Sequence, residues 1–300
     1  MKKLLRTALI GLVCWGMCFG SGFAGESGHY VHGVEGIKAA TLPPPGFYYR
    51  LYTSYYSANK YMDQNGDAAG FDFDVTLFAL VNRFIYVSEY KILGGNYFVD
   101  AVVPLLNTDL KHGALGFDDS RFGLYDINIE PFGITWHGPR YDAAFGLSVY
   151  VPVGDYERTN PASPGKDFWT GMLTLGGTYY FDTEKTWAAS ILGRYEVHSD
   201  KGEQDITPGN DFHFEWGVSK TLAKFYDVGL TGYCHWQVTD DSGSDATNTD
   251  VHDQVYAIGP EISAFCPAIK AIFSLRSQWE FDAEDRSEGN MTTLTITKIF

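Results

Sequence analysis

From Gly46 to the C-terminus, apolar residues recur at every second position in segments of about ten to fourteen residues, and this period constrains the fold more than any other feature. A period of two places alternate side chains on opposite faces of an extended strand, whereas a helix repeats every third or fourth position. In 211–221, Phe212, Phe214, Trp216 and Val218 alternate with Asp211, His213, Glu215, Gly217 and Ser219. Segment 269–281 sets Ile269, Ala271, Phe273, Leu275, Trp279 and Phe281 against Lys270, Ser274, Arg276, Gln278 and Glu280. Segment 71–82 sets Phe71, Phe73, Val75, Leu77, Ala79 and Val81 against Asp72, Asp74, Thr76 and Asn82.

Extended along the chain, the alternation predicts twelve strands, near 46–57, 70–82, 94–106, 122–136, 140–153, 168–181, 186–197, 211–221, 225–239, 254–265, 269–281 and 290–300. Long polar connections at 58–69, 107–121, 154–167, 198–210, 240–253 and 282–289 alternate with mostly short ones at 83–93, 137–139, 182–185, 222–224 and 266–268. An even strand count with long loops at one end and tight turns at the other describes an all-β fold, a single up-and-down antiparallel transmembrane β-barrel over 46–300. A soluble sandwich also alternates, but its strands are shorter, and strands of ten residues suit a tilted crossing of a bilayer. Trp136, Tyr179, Phe181, Trp187, Phe225 and Tyr226 fall beside the short turns, and Trp169, Trp236, Trp279 and Phe281 toward the long loops. Two belts of amphipathic rings at two water interfaces account for that placement.

The N-terminus reads as an export signal over 1–24. Lys2, Lys3 and Arg6 precede an apolar run from Ala8 to Phe19, and Gly22-Phe23-Ala24 supplies the small residues a signal peptidase reads. Together with the barrel pattern, such a signal leads us to expect the chain in the bacterial outer membrane. Beyond it no apolar run reaches the roughly 18 residues of a membrane helix. Cleavage after Ala24 takes the formal charge from −15 to −18 and leaves Cys234 and Cys266, which the strand spacing does not pair. With 37 acidic residues against 22 basic ones, the chain repels nucleic-acid phosphates. Segment 25–45 holds His29, His32 and Glu35 and ends in Pro43-Pro44-Pro45-Gly46. Prolines deny it ladder bonds, leaving a periplasmic tail or a short helical turn tucked into the lumen as a plug. The terminal Phe300, behind Leu294 and Ile296, has the form that outer-membrane barrels present to their assembly machinery.

Several short runs carry a resemblance. They are Gly33-Val34-Glu35-Gly36-Ile37-Lys38-Ala39 with Leu42-Pro43-Pro44-Pro45-Gly46, then Gly123, Asp126 and Pro131, then Pro152-Val153-Gly154-Asp155-Tyr156. Gly232-Tyr233, Gln237-Val238-Thr239-Asp240-Asp241-Ser242-Gly243, Gly259-Pro260, Glu280-Phe281, Arg286 and Gly289 follow in order. Together they resemble the outer-membrane proteins named for the MetA pathway of phenol degradation. That resemblance implies a barrel admitting small, often hydrophobic or aromatic, compounds.

If the apolar faces meet lipid, the opposite faces line a lumen and carry Arg50, Asp72, Asp74, Asp100, Asp126, Glu130, Arg194, Glu196, His213, Glu215, His235, Glu261, Arg276 and Glu280. Around the hairpin 186–221, Arg194 is expected near His213 and Glu196 near Asp211, so opposite charges pair across strands. His213, Glu215 and His235 share a face at permissive spacing but lack further ligands, so no metal site and no cofactor is assigned. Ser242 beside Asp240 and Asp241, or His198 near Asp200, sits among flexible loop residues, and no catalytic residue is assigned. The chain is therefore expected to be a non-enzymatic channel whose partners are the lipid bilayer and a small-molecule solute. The alternative is a filled structural or surface-binding barrel, with an outer-membrane hydrolase a more distant reading.

Overall fold

The computed structural model describes residues 28–300, so the export signal lies outside the described residues. Twelve antiparallel strands close into a barrel among them. They are β1 (Gly46–Ala58), β2 (Phe73–Ile92), β3 (Gly95–His112), β4 (Phe117–Leu124 and Ile127–His137), β5 (Tyr141–Val151) and β6 (Thr170–Tyr180). After these come β7 (Trp187–His198), β8 (Asp211–Leu222), β9 (Tyr226–Gln237), β10 (Gln254–Cys266), β11 (Ala271–Glu284) and β12 (Asn290–Ile299). Each strand pairs with its neighbour in sequence, and β1 closes the ring by pairing with both β12 and β2. Closure removes the two edges that an open sheet would expose, which a span through hydrocarbon requires.

One hairpin is longer than the sequence suggests. The connections expected at 83–93 and 107–121 are largely strand, because β2 runs for 20 residues and β3 for 18. Leu93 and Gly94 alone join them, at φ +50° and +80°, the doubly left-handed turn whose twist matches a hairpin. At the other end only the 3₁₀ turn Gly113–Leu115 separates β3 from β4. The strand β4 breaks at Tyr125 and Asp126, opposite Pro104, where the Tyr125 N–H still donates to the Pro104 carbonyl at 3.1 Å. A proline offers no N–H to a ladder, so this is where the pairing gives way.

The interior is inverted relative to a soluble protein. Among the largest fully buried side chains are Arg276, His213, His235, Gln278, Glu196 and Glu215, whereas Phe84, Leu175, Ile191, Leu230, Ile262 and Leu275 are exposed on the outside. Tyr179, Phe181, Trp187, Phe225 and Tyr226 are exposed near the turn end, and Trp169, Trp279 and Phe281 near the loop end. Across β8 to β11, Phe212, Trp236, Tyr256 and Phe281 form a ladder of rings 5.6 to 6.0 Å apart. Cys234 and Cys266 form no disulfide, with Cys234 opposite Tyr256 in the ladder.

Residues 28–45 thread the inside of this ring. Going down the segment, Gly33 and Glu35 donate their N–H groups to Glu215, Ile37 to Glu261 and Ala40 to Ser190, while the Thr41 hydroxyl donates to Thr178. The segment therefore runs from the loop end, where His29 meets Thr170, to the turn end, where Tyr48 donates to the Pro44 carbonyl. Its conformation is a series of bends and turns, with one turn closed by Thr41 N–H to Lys38 O at 2.9 Å, and not the helical turn the sequence suggested. Gly36 has φ +69°, and a Cβ there would lie 2.1 Å from Glu261 Oε2, so the segment approaches the wall as closely as only glycine permits.

Candidate functional site: the barrel lumen

Strand alternation delivers twelve of the fourteen expected lumen residues to the interior. Asp100, Asp126, Glu130, Arg194, Glu196, His213, Glu215, His235, Glu261 and Arg276 are buried, while Arg50 and Glu280 are partly buried and face inward. The register expected around the hairpin is found, with Asp211 opposite Glu196 and His213 opposite Arg194.

Asp72 and Asp74 are the exceptions. Both are exposed outside, Asp72 just before β2 and paired to Lys111 at 2.6 Å, and Asp74 on the outer face of β2 opposite Lys111 in the ladder. Alternation defines two faces but does not say which is inner, and β2 is apolar on both. Phe73, Val75, Leu77, Ala79 and Val81 line the lumen, while Phe78 and Phe84 face out. Charges at the loop end of an outward face sit in water, so they cost nothing there.

The reversed face also hides the residue at the centre of the lumen. Arg83, within a stretch read as a connection, points inward from β2 and donates to Asp100 and, at 2.5 Å, to Glu35 on the threaded segment. Glu35 is also held by Arg50 at 2.9 Å and lies 3.7 Å from Arg194. The Arg194 guanidinium is stacked 3.9 Å from the Tyr30 ring centre, and the Tyr30 hydroxyl donates to Glu215 at 2.6 Å. One carboxylate on the segment thus gathers three guanidiniums from β1, β2 and β7. A buried charge is tolerated only when paired in this way.

His213, Glu215 and His235 do share a wall, with His213 directly opposite His235, but each turns to a different partner. His213 meets Glu196 at 2.8 Å, His235 meets Asp253 at 3.2 Å, and Glu215 takes the segment's backbone. Glu280 accepts from Tyr56 at 2.7 Å and from Tyr233 at 2.8 Å. Asp253, at the end of the polar connection 240–253, is buried and bound to Arg286 at 2.8 Å. His198 faces inward to Asp211 at 2.9 Å, away from Asp200, and Ser242 pairs through its backbone with Thr207.

The segment does not fill the lumen. It lies against the polar wall of β7 to β11 and leaves a cavity of about 970 Å³ whose opposite wall is apolar. Val75, Leu77, Ala79 and Val81 of β2 with Val102, Pro104, Leu106 and Leu110 of β3 line it, joined by Tyr125, Tyr150 and Met172. Toward the loops the lining becomes polar, with Tyr156, Asn160, Lys166, Lys201 and Gln204. A concave space of this size with one apolar side and a few polar groups suits a small, largely apolar molecule.

Among solved structures, the chain is similar to an outer-membrane channel from Pseudomonas putida F1, with 13% identity, a TM-score of 0.76, and coverage of 87% of this chain and 97% of that one. It is similar more distantly to the translocator domain of the autotransporter NalP from Neisseria meningitidis, at 11% identity and a TM-score of 0.48 over 87% of this chain and 91% of that one. The monoaromatic hydrocarbon channel CymD matches at 12% identity and a TM-score of 0.42 over 86% of this chain and 89% of that one. Likenesses at these identities concern the fold. No protein with a curated description matches the chain. The family described as "Putative MetA-pathway of phenol degradation" matches residues 58–296, most of the barrel, and the chain belongs to that family.

Proposed function

We propose that this protein is an outer-membrane channel for passive or gated uptake of small hydrophobic or aromatic compounds. The observation that carries this reading is the apolar wall of β2 and β3 facing an internal cavity, since a purely structural barrel gains nothing from apolar side chains turned toward a wet lumen. A solute slides along that wall while the segment 28–45, bound to the opposite wall, narrows the passage. In this reading residues 1–24 are removed on export and Phe300 addresses the chain to the assembly machinery.

The filled-barrel reading is favoured by one observation, the dense pairing of Glu35 with Arg50 and Arg83, which ties the segment down. Liposomes carrying the purified protein separate the two readings. Uptake of a neutral monoaromatic compound faster than into empty vesicles supports the channel. Uptake no faster than into empty vesicles in the wild type, with faster uptake in a variant lacking residues 28–40, supports the filled barrel.

A further inference from the structure

A second set of buried contacts joins the segment to the wall near the loop end. His29 Nε2 faces Asp126 Oδ2 at 2.9 Å, and His198 Nε2 faces Asp211 Oδ2 at 2.9 Å. Asp126 also accepts the N–H groups of Gly154 and Lys166, at 2.8 and 2.9 Å, so it is an ionised acceptor that holds a proton on His29 Nε2. The remaining nitrogens, His29 Nδ1 and His198 Nδ1, converge on one atom, Thr170 Oγ1, at 2.5 and 2.7 Å.

The proton count does not close. With Asp211 ionised like Asp126, both imidazole protons sit on Nε2, which leaves two Nδ1 lone pairs facing one hydroxyl, and a hydroxyl has one proton to give. One lone pair then faces an oxygen lone pair at hydrogen-bond distance, unless an added proton or a cation lies between them. Glu196 stands beside the pair, its Oε2 accepting the His29 N–H at 2.8 Å. One ligand atom from each of His29, Glu196 and His198 lies within 4.8 Å of the others. Asp126, Glu196 and Asp211 supply negative charge here, opposed by the Lys166 ammonium, which donates to the Gly28 carbonyl.

We propose that His29, His198 and Glu196 bind one divalent transition-metal ion, with Thr170 Oγ1 beside it. Imidazole and carboxylate are ligands that zinc takes readily. Metal-binding imidazoles almost always give their other N–H to a carboxylate or carbonyl, which fixes the tautomer and raises ligand basicity, and Asp126 and Asp211 stand in that position. Because His29 belongs to the threaded segment and His198 and Glu196 to β7, the ion fastens the segment to the wall. His29 borders the same cavity, packed on Tyr150, but ion binding does not depend on the solute reading proposed above.

The test uses full-length protein purified in detergent, stripped with a chelator, then titrated with Zn²⁺ by calorimetry and with Co²⁺ by visible absorption. One ion per chain is expected, with a visible Co²⁺ band, and His29→Ala lowers the affinity at least tenfold. His29 lies outside the strands, so that variant keeps the barrel; His198→Gln serves as the second variant. Asp240→Ala, which breaks the exposed pair with His252, leaves binding unchanged. Absence of stoichiometric uptake by the wild type overturns the proposal and assigns the missing charge to a proton. Equal affinity in His29→Ala overturns it as well.

Discussion

The two walls of the lumen solve different problems. The wall of β7 to β11 carries Arg194, Glu196, His213, Glu215, Glu261 and Arg276, and nearly every charge on it meets a partner on the segment or across the ladder. The wall of β2 and β3 meets the segment through Arg83, paired with Asp100, and otherwise carries Val75, Leu77, Ala79, Val102 and Leu106 facing open space. Charged wall and segment hold each other because each satisfies the other's buried charges, a bond that an apolar wall cannot make. An apolar wall offers a small hydrophobic solute a surface without asking it to replace any hydrogen bond. In the function proposed above, one wall fixes the segment and the other leaves a path.

The comparison breaks most completely at Glu35. Glu35→Ala leaves Arg50, Arg83 and Arg194 facing one another, and removing one partner of such a buried set costs roughly 3–5 kcal/mol. The expected outcome is release of the segment, read as a several-fold rise in single-channel conductance and as cleavage of residues 28–45 by added protease. On the other wall, Leu106→Asn is expected to slow uptake of a neutral aromatic compound severalfold while conductance to small ions stays near the wild-type value. Equal loss of both would show that the two walls are not separate in function.

A smaller effect lies at Asp285 in the loop between β11 and β12. Burial, then the negative charges of Asp253 and Asp241, push the Asp285 carboxyl up to about 6 from an ordinary 3.8, against the hydrogen bond from Tyr61. A raised value in the folded state means that this loop holds more protons than the unfolded chain between 3.8 and about 6. Stability conferred by this group is therefore full below that window and lost as pH rises through it. Asp285→Asn, whose side chain stays neutral and tolerates the local φ of +48°, is expected to raise the melting temperature above pH 6 and to leave it unchanged near pH 4. The smallest effect is expected outside the ring. Asp72→Ala breaks a solvent-screened exposed pair with Lys111, and neither uptake nor conductance should change.

Much of the site follows from the sequence wherever one face of a strand is plainly polar. In β8, Asp211, His213 and Glu215 alternate with Phe212, Phe214 and Trp216, so both the inward face and the register against β7 could be read directly. In β2 the signal fails for a physical reason. Both faces are apolar, one toward lipid and one toward the cavity, so two aspartates at the strand end were the remaining guide and they lie beyond the apolar band. Arg83 was missed with them, although an inward face read from Phe73 through Val81 reaches it at the next odd position.

The sequence alone determined the number of strands, their order and which end carries the longer loops, because a period of two is a local property of neighbouring residues, while separate motif runs carried the family resemblance. It also marked 25–45 as something other than strand, since prolines remove ladder donors. Only the tertiary structure decided where that segment goes, which face of β2 is inner, and which charges meet. These depend on the closure of the ring, which brings β1, β2 and β7 around Glu35 from positions 15 to 159 residues away in sequence. No local pattern encodes that meeting, because the free energy that selects it is the pairing of buried charges across the lumen.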